Sequence, residues 1–129
     1  MREAIFTEKG AAPRGLYSQA IVAQGPQVFV SAQGPNDPET GQRVTGSFAE
    51  QAERVFQNVT ILLEAAGTSW AHVVKVNVYL ADSSNFAEMN QIYGRYCVQP
   101  YPARTTLEAT VGGAAILVDC VALVPQSAQ

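Results

Sequence analysis

A chain of 129 residues can bury one good hydrophobic core and not two, so one domain over 1–129 is expected. Eight basic against eleven acidic side chains give a net charge of −3. With no Lys/Arg run, this speaks against nucleic acid or an anionic membrane as the main partner and for a small molecule. Only 15% of residues are charged while 47% are hydrophobic, against about 25% charged in ordinary domains, which leaves apolar surface for contacts between subunits.

The opening Met1-Arg2-Glu3-Ala4-Ile5-Phe6 carries an early acid and no apolar run of signal-peptide length. Nowhere does the chain approach the roughly 20 apolar residues of a bilayer span. A cytoplasmic protein with reduced thiols is expected. Cys97, Cys120 and the lone His72 have no metal-ligand spacing, so no metal is expected. Ser18 to Ala23 and Val28 to Ala32 flank Gln24-Gly25-Pro26-Gln27 and read as a hairpin. Pro35 to Gln42 is dense in breakers and predicts a surface loop. Ser47-Phe48-Ala49-Glu50 has the spacing of a capping box. From it Phe48, Ala52, Val55, Phe56, Val59, Leu62, Leu63 and Ala66 recur at helical steps until Gly67. Val73 to Leu80 alternates as a strand, with Val74, Val76, Val78 and Leu80 on one face. Phe86, Met89, Ile92, Tyr93 and Tyr96 predict a second helix, which Pro100 and Pro102 bar from continuing. Arg104 to Thr110 and Ala115 to Val124 are two more strands joined across Val111-Gly112-Gly113, the last apolar on both faces and hence mid-sheet or at an interface. The order predicts an α+β domain, two helices packed on one face of a mixed sheet.

Arg104 stands at the mouth of a strand that reads as buried. A guanidinium there is costly to desolvate unless it meets an anion, and its planar fork suits a carboxylate. Thr106 shares its strand face and offers a hydroxyl or backbone N–H. Two partners remain open for Arg104: a ligand carboxylate, or a structural pairing with Glu108 or Asp119. Tyr17 either touches a ligand or simply packs. Ser31 and Ala32 end a strand just before Gly34-Pro35, where backbone groups are available to a ligand, or they are an ordinary strand end. Asn90, on the inner side of the second helix, is a further candidate. Tyr79, Phe86, Tyr93 and Tyr96 read as core aromatics, His72 as surface, and Cys97 and Cys120 as buried spectators.

Gly15-Leu16-Tyr17-Ser18-Gln19-Ala20, Val30-Ser31-Ala32-Gln33-Gly34-Pro35 and Pro102-Ala103-Arg104-Thr105-Thr106 together resemble the Rid family, the reactive intermediate deaminases also called YjgF or L-PSP. Asn58-Val59, Glu64 to Gly67, Val73 to Val76 and Phe86 to Tyr93 extend the resemblance over nearly the whole chain. It implies a chorismate-mutase-like fold and a homotrimer with ligand sites in the clefts between subunits. It also implies that Arg104 grips the carboxylate of 2-imino or 2-enamino acids such as 2-aminoacrylate. Water then replaces nitrogen to give a 2-keto acid and ammonia, with no cofactor. Catalytic roles fall on Arg104, Tyr17 and Thr106, and substrate binding on Arg104, Ser31, Ala32, Thr106 and Asn90. Two departures stand out: Thr106 where many deaminase members carry cysteine, and Leu117 where they carry a water-positioning glutamate, with Asp119 two residues on. Two alternatives follow from these departures. One is a pathway deaminase of a longer conjugated enamine, aminomuconate-like, for which an apolar Leu117 is suited. The other is a trimer that binds 2-keto acids without turnover. The endoribonuclease label attached to parts of the family is disfavoured, because the chain has neither a basic surface nor a His pair for acid-base cleavage.

Overall fold

Arg2–Ile5 forms a strand, β1, that the alternation rule passes over because it is only four residues long. In the computed structural model, which describes residues 1–126, β1 pairs antiparallel with β2, Ala20–Ala23. Reciprocal bonds between Met1 and Gln24 close the end of this ladder. The hairpin expected between Ser18 to Ala23 and Val28 to Ala32 is therefore not formed. Gly25, at φ 134°, turns the chain away, and β3, Gln27–Gln33, joins a different sheet. Only glycine adopts that φ without strain, so the Gly-Pro pair marks a change of sheet and not a tight turn.

The second sheet has the order β3-β6-β4-β5, where β4 is Val73–Leu80, β5 Ala103–Glu108 and β6 Ile116–Leu123. β4 and β5 run parallel and the other pairs antiparallel, giving the expected mixed sheet. β6 lies mid-sheet, as its apolar sequence requires, and β4 separates it from β5. Val111-Gly112-Gly113 thus carries the chain past β4, with both glycines at positive φ. One face is covered by α1, Phe48–Ala65, and α2, Phe86–Tyr96. On β6, Ile116, Val118, Cys120 and Ala122 point into that core. On β4 the alternation breaks at a bulge between Val73 and Lys75, so Val73 is buried and Val74 only half-buried. An extra residue in one strand inverts the facing of what precedes it, which simple alternation cannot anticipate.

α1 begins with the expected capping box, Ser47 and Glu50 each bonding the other's backbone N–H. It ends at Gly67, φ 82°, where Thr68 N–H reaches back to Leu63 C=O. Phe56, fully buried, stacks on Tyr96 with ring centroids 5.2 Å apart and meets Tyr93 edge-on at 6.1 Å. Burying such a ring contributes about 1.5–3 kcal/mol, and here it joins the two helices. Arg95 and Tyr96 of α2 both contact the Glu53 carboxylate of α1 across the same seam. Among the described residues the opposite face of the sheet carries no helix, and on it Phe29 is 73% exposed and Leu107 43%. No helix among the described residues is long and apolar enough to cross a membrane.

Candidate functional site

Arg104 lies opposite Val76 in the β4–β5 ladder, on the helix-covered side at the sheet's edge. Its Nη1 donates to Asn90 Oδ1 of α2 at 2.7 Å. Three rings surround its guanidinium carbon: Tyr93 at 4.8 Å, Tyr17 and Phe86 each at 5.6 Å from their centroids. Phe86, Asn90 and Tyr93 are spaced i, i+4 and i+7, so one stripe of α2 supplies all three contacts. Tyr17 comes from the segment after β1. Ser18 ties that segment to the approach of β5, its N–H bonding Pro102 C=O at 3.1 Å and its hydroxyl Tyr101 C=O. Gly15 passes so close that a Cβ there would sit 3.4 Å from Arg104 Nη2. Tyr17 OH in turn accepts from Arg14 N–H at 3.1 Å, which holds the ring.

The pairing of Arg104 with Glu108 or Asp119 does not occur. Glu108 Oε2 accepts from Ser83 N–H at 2.7 Å. Asp119 lies on the helix-free face, its two oxygens accepting from Asn77 Nδ2 and Tyr79 OH, each at 2.8 Å. Among the described residues the ion pair is Arg95 with Glu53, and no carboxylate neutralises Arg104. Burial holds the Arg104 guanidinium below its usual pKa, though far from losing its proton at neutral pH. The groups behind it are neutral. Burial pushes the Cys97 thiol up to about 12 and the Tyr93 phenol upward as well, both through desolvation first.

Thr106, two residues on and on the same face, has a buried Oγ1 without a hydrogen-bond partner among the described residues. Buried hydroxyls are rarely left this way. It lines, with Tyr17, Phe86, Arg104 and Thr105, a cavity of about 340 Å³. Arg104, Thr106, Tyr17 and Asn90 are thus brought together, Asn90 through Arg104. Ser31 and Ala32 are not: they are exposed on β3, the opposite edge of the sheet. Three strand spacings, about 14 Å, separate the two edges. Leu117 also faces away, on the helix-free side of β6 against Gly34. Phe86, expected in the core, is 41% exposed at the cavity instead. Its spacing from Asn90 is the signal that places it there. Of the other aromatics expected in the core, Tyr93 is buried, Tyr96 is half-buried against Phe56, and Tyr79 is on the helix-free face. Cys97 and Cys120 are free and buried, and His72 is half-buried. Among the described residues no three His, Cys, Asp or Glu side chains cluster as metal ligands do.

The family model described as Endoribonuclease L-PSP matches residues 7–124. A RutC family protein of Pyrococcus abyssi is 49% identical over 109 residues, 84% of this chain and 85% of its own. The human protein named 2-iminobutanoate/2-iminopropanoate deaminase is 36% identical over 125 residues, 95% of this chain and 90% of its own. Among solved structures, RidA from an Antarctic Psychrobacter superposes with a TM-score of 0.72 at 39% identity, covering 95% of this chain and 99% of that one. A Thermotoga maritima protein titled a putative endoribonuclease superposes at 0.74 and 36% identity, covering 98% and 100%. Two helices on one face of a mixed sheet are common to this chain and these neighbours, and the chain belongs to the Rid family, also called YjgF or L-PSP.

Proposed function

We propose that this protein is a cofactor-independent deaminase that hydrolyses small 2-imino and 2-enamino carboxylic acids to 2-keto acids and ammonia. The observation that carries the reading is the half-buried Arg104 guanidinium, held by an amide and three rings but by no carboxylate. Of its five N–H groups one is committed to Asn90, which leaves donors for a bidentate carboxylate. With the carboxylate there, C2 of the substrate lies in the cavity that Thr106 lines. Water adds to C2 of the protonated imine, the nitrogen takes one proton that the water gives up, and as C=O forms the hydroxyl's proton goes to the departing ammonia, which leaves as ammonium. Two buried hydroxyls beside Arg104, Thr106 Oγ1 and Tyr93 OH, have no hydrogen-bond partner among the described residues, and of these Thr106 lines the cavity and is assigned to orient that water. Names of the relatives, including the human imine deaminase, support the reaction class.

The assembly that completes this reading is a homotrimer with a site at each subunit contact. The helix-free face with Phe29 and Leu107 supports it, as does the separation of Ser31 and Ala32 from Arg104, which a neighbouring copy's β3 would close. The test is ammonia release from an imine generated in situ by an amino-acid oxidase, for wild type and Arg104→Ala. Loss of the enzymatic component in the variant is expected, and unchanged release would sink the assignment. A second reading, keto-acid binding without turnover, is favoured by Asp119: both its oxygens are engaged on the far side of the sheet from Arg104. Calorimetric binding of 2-ketobutyrate by a protein that releases no ammonia would establish it.

A further inference from the structure

We infer that the cavity adjoining Tyr17 on the N-terminal segment is a side-chain subsite, and that it tunes the protein toward imino acids with a branched aliphatic side chain over the alanine-derived imine. This deepens the deaminase reading and rests on Arg104 as the carboxylate anchor. Tyr17 lines two cavities. One is the Arg104 site. The other, about 410 Å³, is walled by Ile5, Ala11, Ala12, Gln19 and Ala20 as well as Tyr17. A substrate anchored at Arg104 and lying along Tyr17 extends its side chain toward this second space.

The chemistry of the walls names the occupant. Among the described residues no charged side chain lines the space. Its side-chain amide is engaged within the walls: Gln19 Nε2 donates to Thr7 C=O and Ala11 C=O, Gln19 Oε1 accepts from Thr7 N–H, and Thr7 Oγ1 accepts from Lys9 N–H. A charged or amide side chain entering there would trade water for walls with little left to offer, while an aliphatic one sheds water at no polar cost. Ala11, Ala12 and Ala20 end at Cβ, so the width of the space depends on their smallness. A methyl group is too short to use the space. An isobutyl group adds three carbons, and against a wall open on one side this is worth about tenfold in affinity.

The experiment is calorimetry of pyruvate and of 4-methyl-2-oxopentanoate, the keto acids of alanine and leucine, on wild type, Ala11→Leu and Ala12→Leu. Both alanines are exposed, so the added carbons fill the space without entering the core. Ammonia release from the two corresponding imines is measured alongside. The wild type is expected to bind the larger keto acid about tenfold tighter, and the variants to lose that preference while pyruvate binding is unchanged. Equal binding of the two by the wild type overturns the inference. So does a loss in the variants that falls on both keto acids alike. The underlying reading fails differently: preference retained without ammonia release removes turnover and leaves the subsite standing, whereas binding of both keto acids that survives Arg104→Ala undiminished removes the anchor and the inference with it.

Discussion

Replacing Asn90 by aspartate keeps the size and shape of the Arg104 partner and adds one negative charge. Asn90 Oδ1 is 2.7 Å from Nη1, which puts the centres of a carboxylate and the guanidinium about 4 Å apart. At an effective dielectric near 20 their attraction is about 4 kcal/mol. Screening at this half-buried edge and desolvation of the new charge reduce the net to about 1.5–3 kcal/mol. A ligand carboxylate must then displace or share that pairing, so its Kd rises about 10- to 100-fold at 1.4 kcal/mol per decade. Asn90→Ala removes a contact but leaves the charge free, and its Kd rises less than about tenfold. The ordering is the diagnostic: the conservative variant is the worse one. Calorimetric titration of 2-ketobutyrate into wild type, Asn90→Asp and Asn90→Ala reads it directly, with thermal unfolding to show that Asn90→Asp melts no lower than wild type. An Asn90→Asp protein that binds the keto acid as well as wild type, or better than Asn90→Ala, would refute the claim that Arg104 works by its unneutralised charge.

Thr106→Val removes a hydroxyl that is buried without a partner. Unfolding stability should rise by about 1 kcal/mol while ammonia release falls about tenfold, and a loss of stability would mean that the hydroxyl is satisfied after all. Ser47→Ala removes the cap of α1 and should cost about 1 kcal/mol in denaturant unfolding, with keto-acid binding intact because α1 supplies nothing to the Arg104 cavity. Burial holds Cys97 and Cys120 protonated, raising each from 9.0 to about 12, and, with Glu53, raises Tyr96 from 10.0 to about 12. Folded pKa values above the unfolded ones mean that this stability is complete below about pH 9 and is lost as pH rises toward 12. The denaturation midpoint should accordingly be level from pH 7 to about 9 and fall beyond it, and a level midpoint at pH 11 would contradict the burial of these groups.

The helices were legible because their signals are local: a capping box, apolar steps of three and four, a glycine stop. β6 was legible as a central strand because both its faces are apolar. What was hidden depends on partners distant in sequence. β1 is four residues long and has meaning only once Ala20–Ala23 is beside it. Gly25-Pro26 has the chemistry of a turn, and nothing local tells a hairpin from a switch of sheets. The bulge at Val73/Lys75 is set by the ladder with β6, not by the valines themselves. At the site, the shared face of Arg104 and Thr106 follows from strand period alone, whereas the choice among Asn90, Glu108 and Asp119 as the partner of Arg104 required the fold. Asp119 and Arg104 lie on opposite faces of one sheet, a relation that neither residue's neighbours encode.

A half-buried guanidinium can be accommodated in two ways. A carboxylate neutralises it, which can stabilise the fold and leaves the charge unavailable; rings and amide dipoles accommodate it while the net charge persists. Arg104 is held in the second way, by Asn90, Tyr17, Phe86 and Tyr93. The same choice recurs behind it, where Cys97 and Tyr93 are kept protonated and so offer no anion. A fold selected for stability alone has an easy improvement at residue 90, since aspartate fits where asparagine stands. That the amide is present there fits a site whose charge is reserved for a ligand, the trade of stability for function that binding sites commonly show.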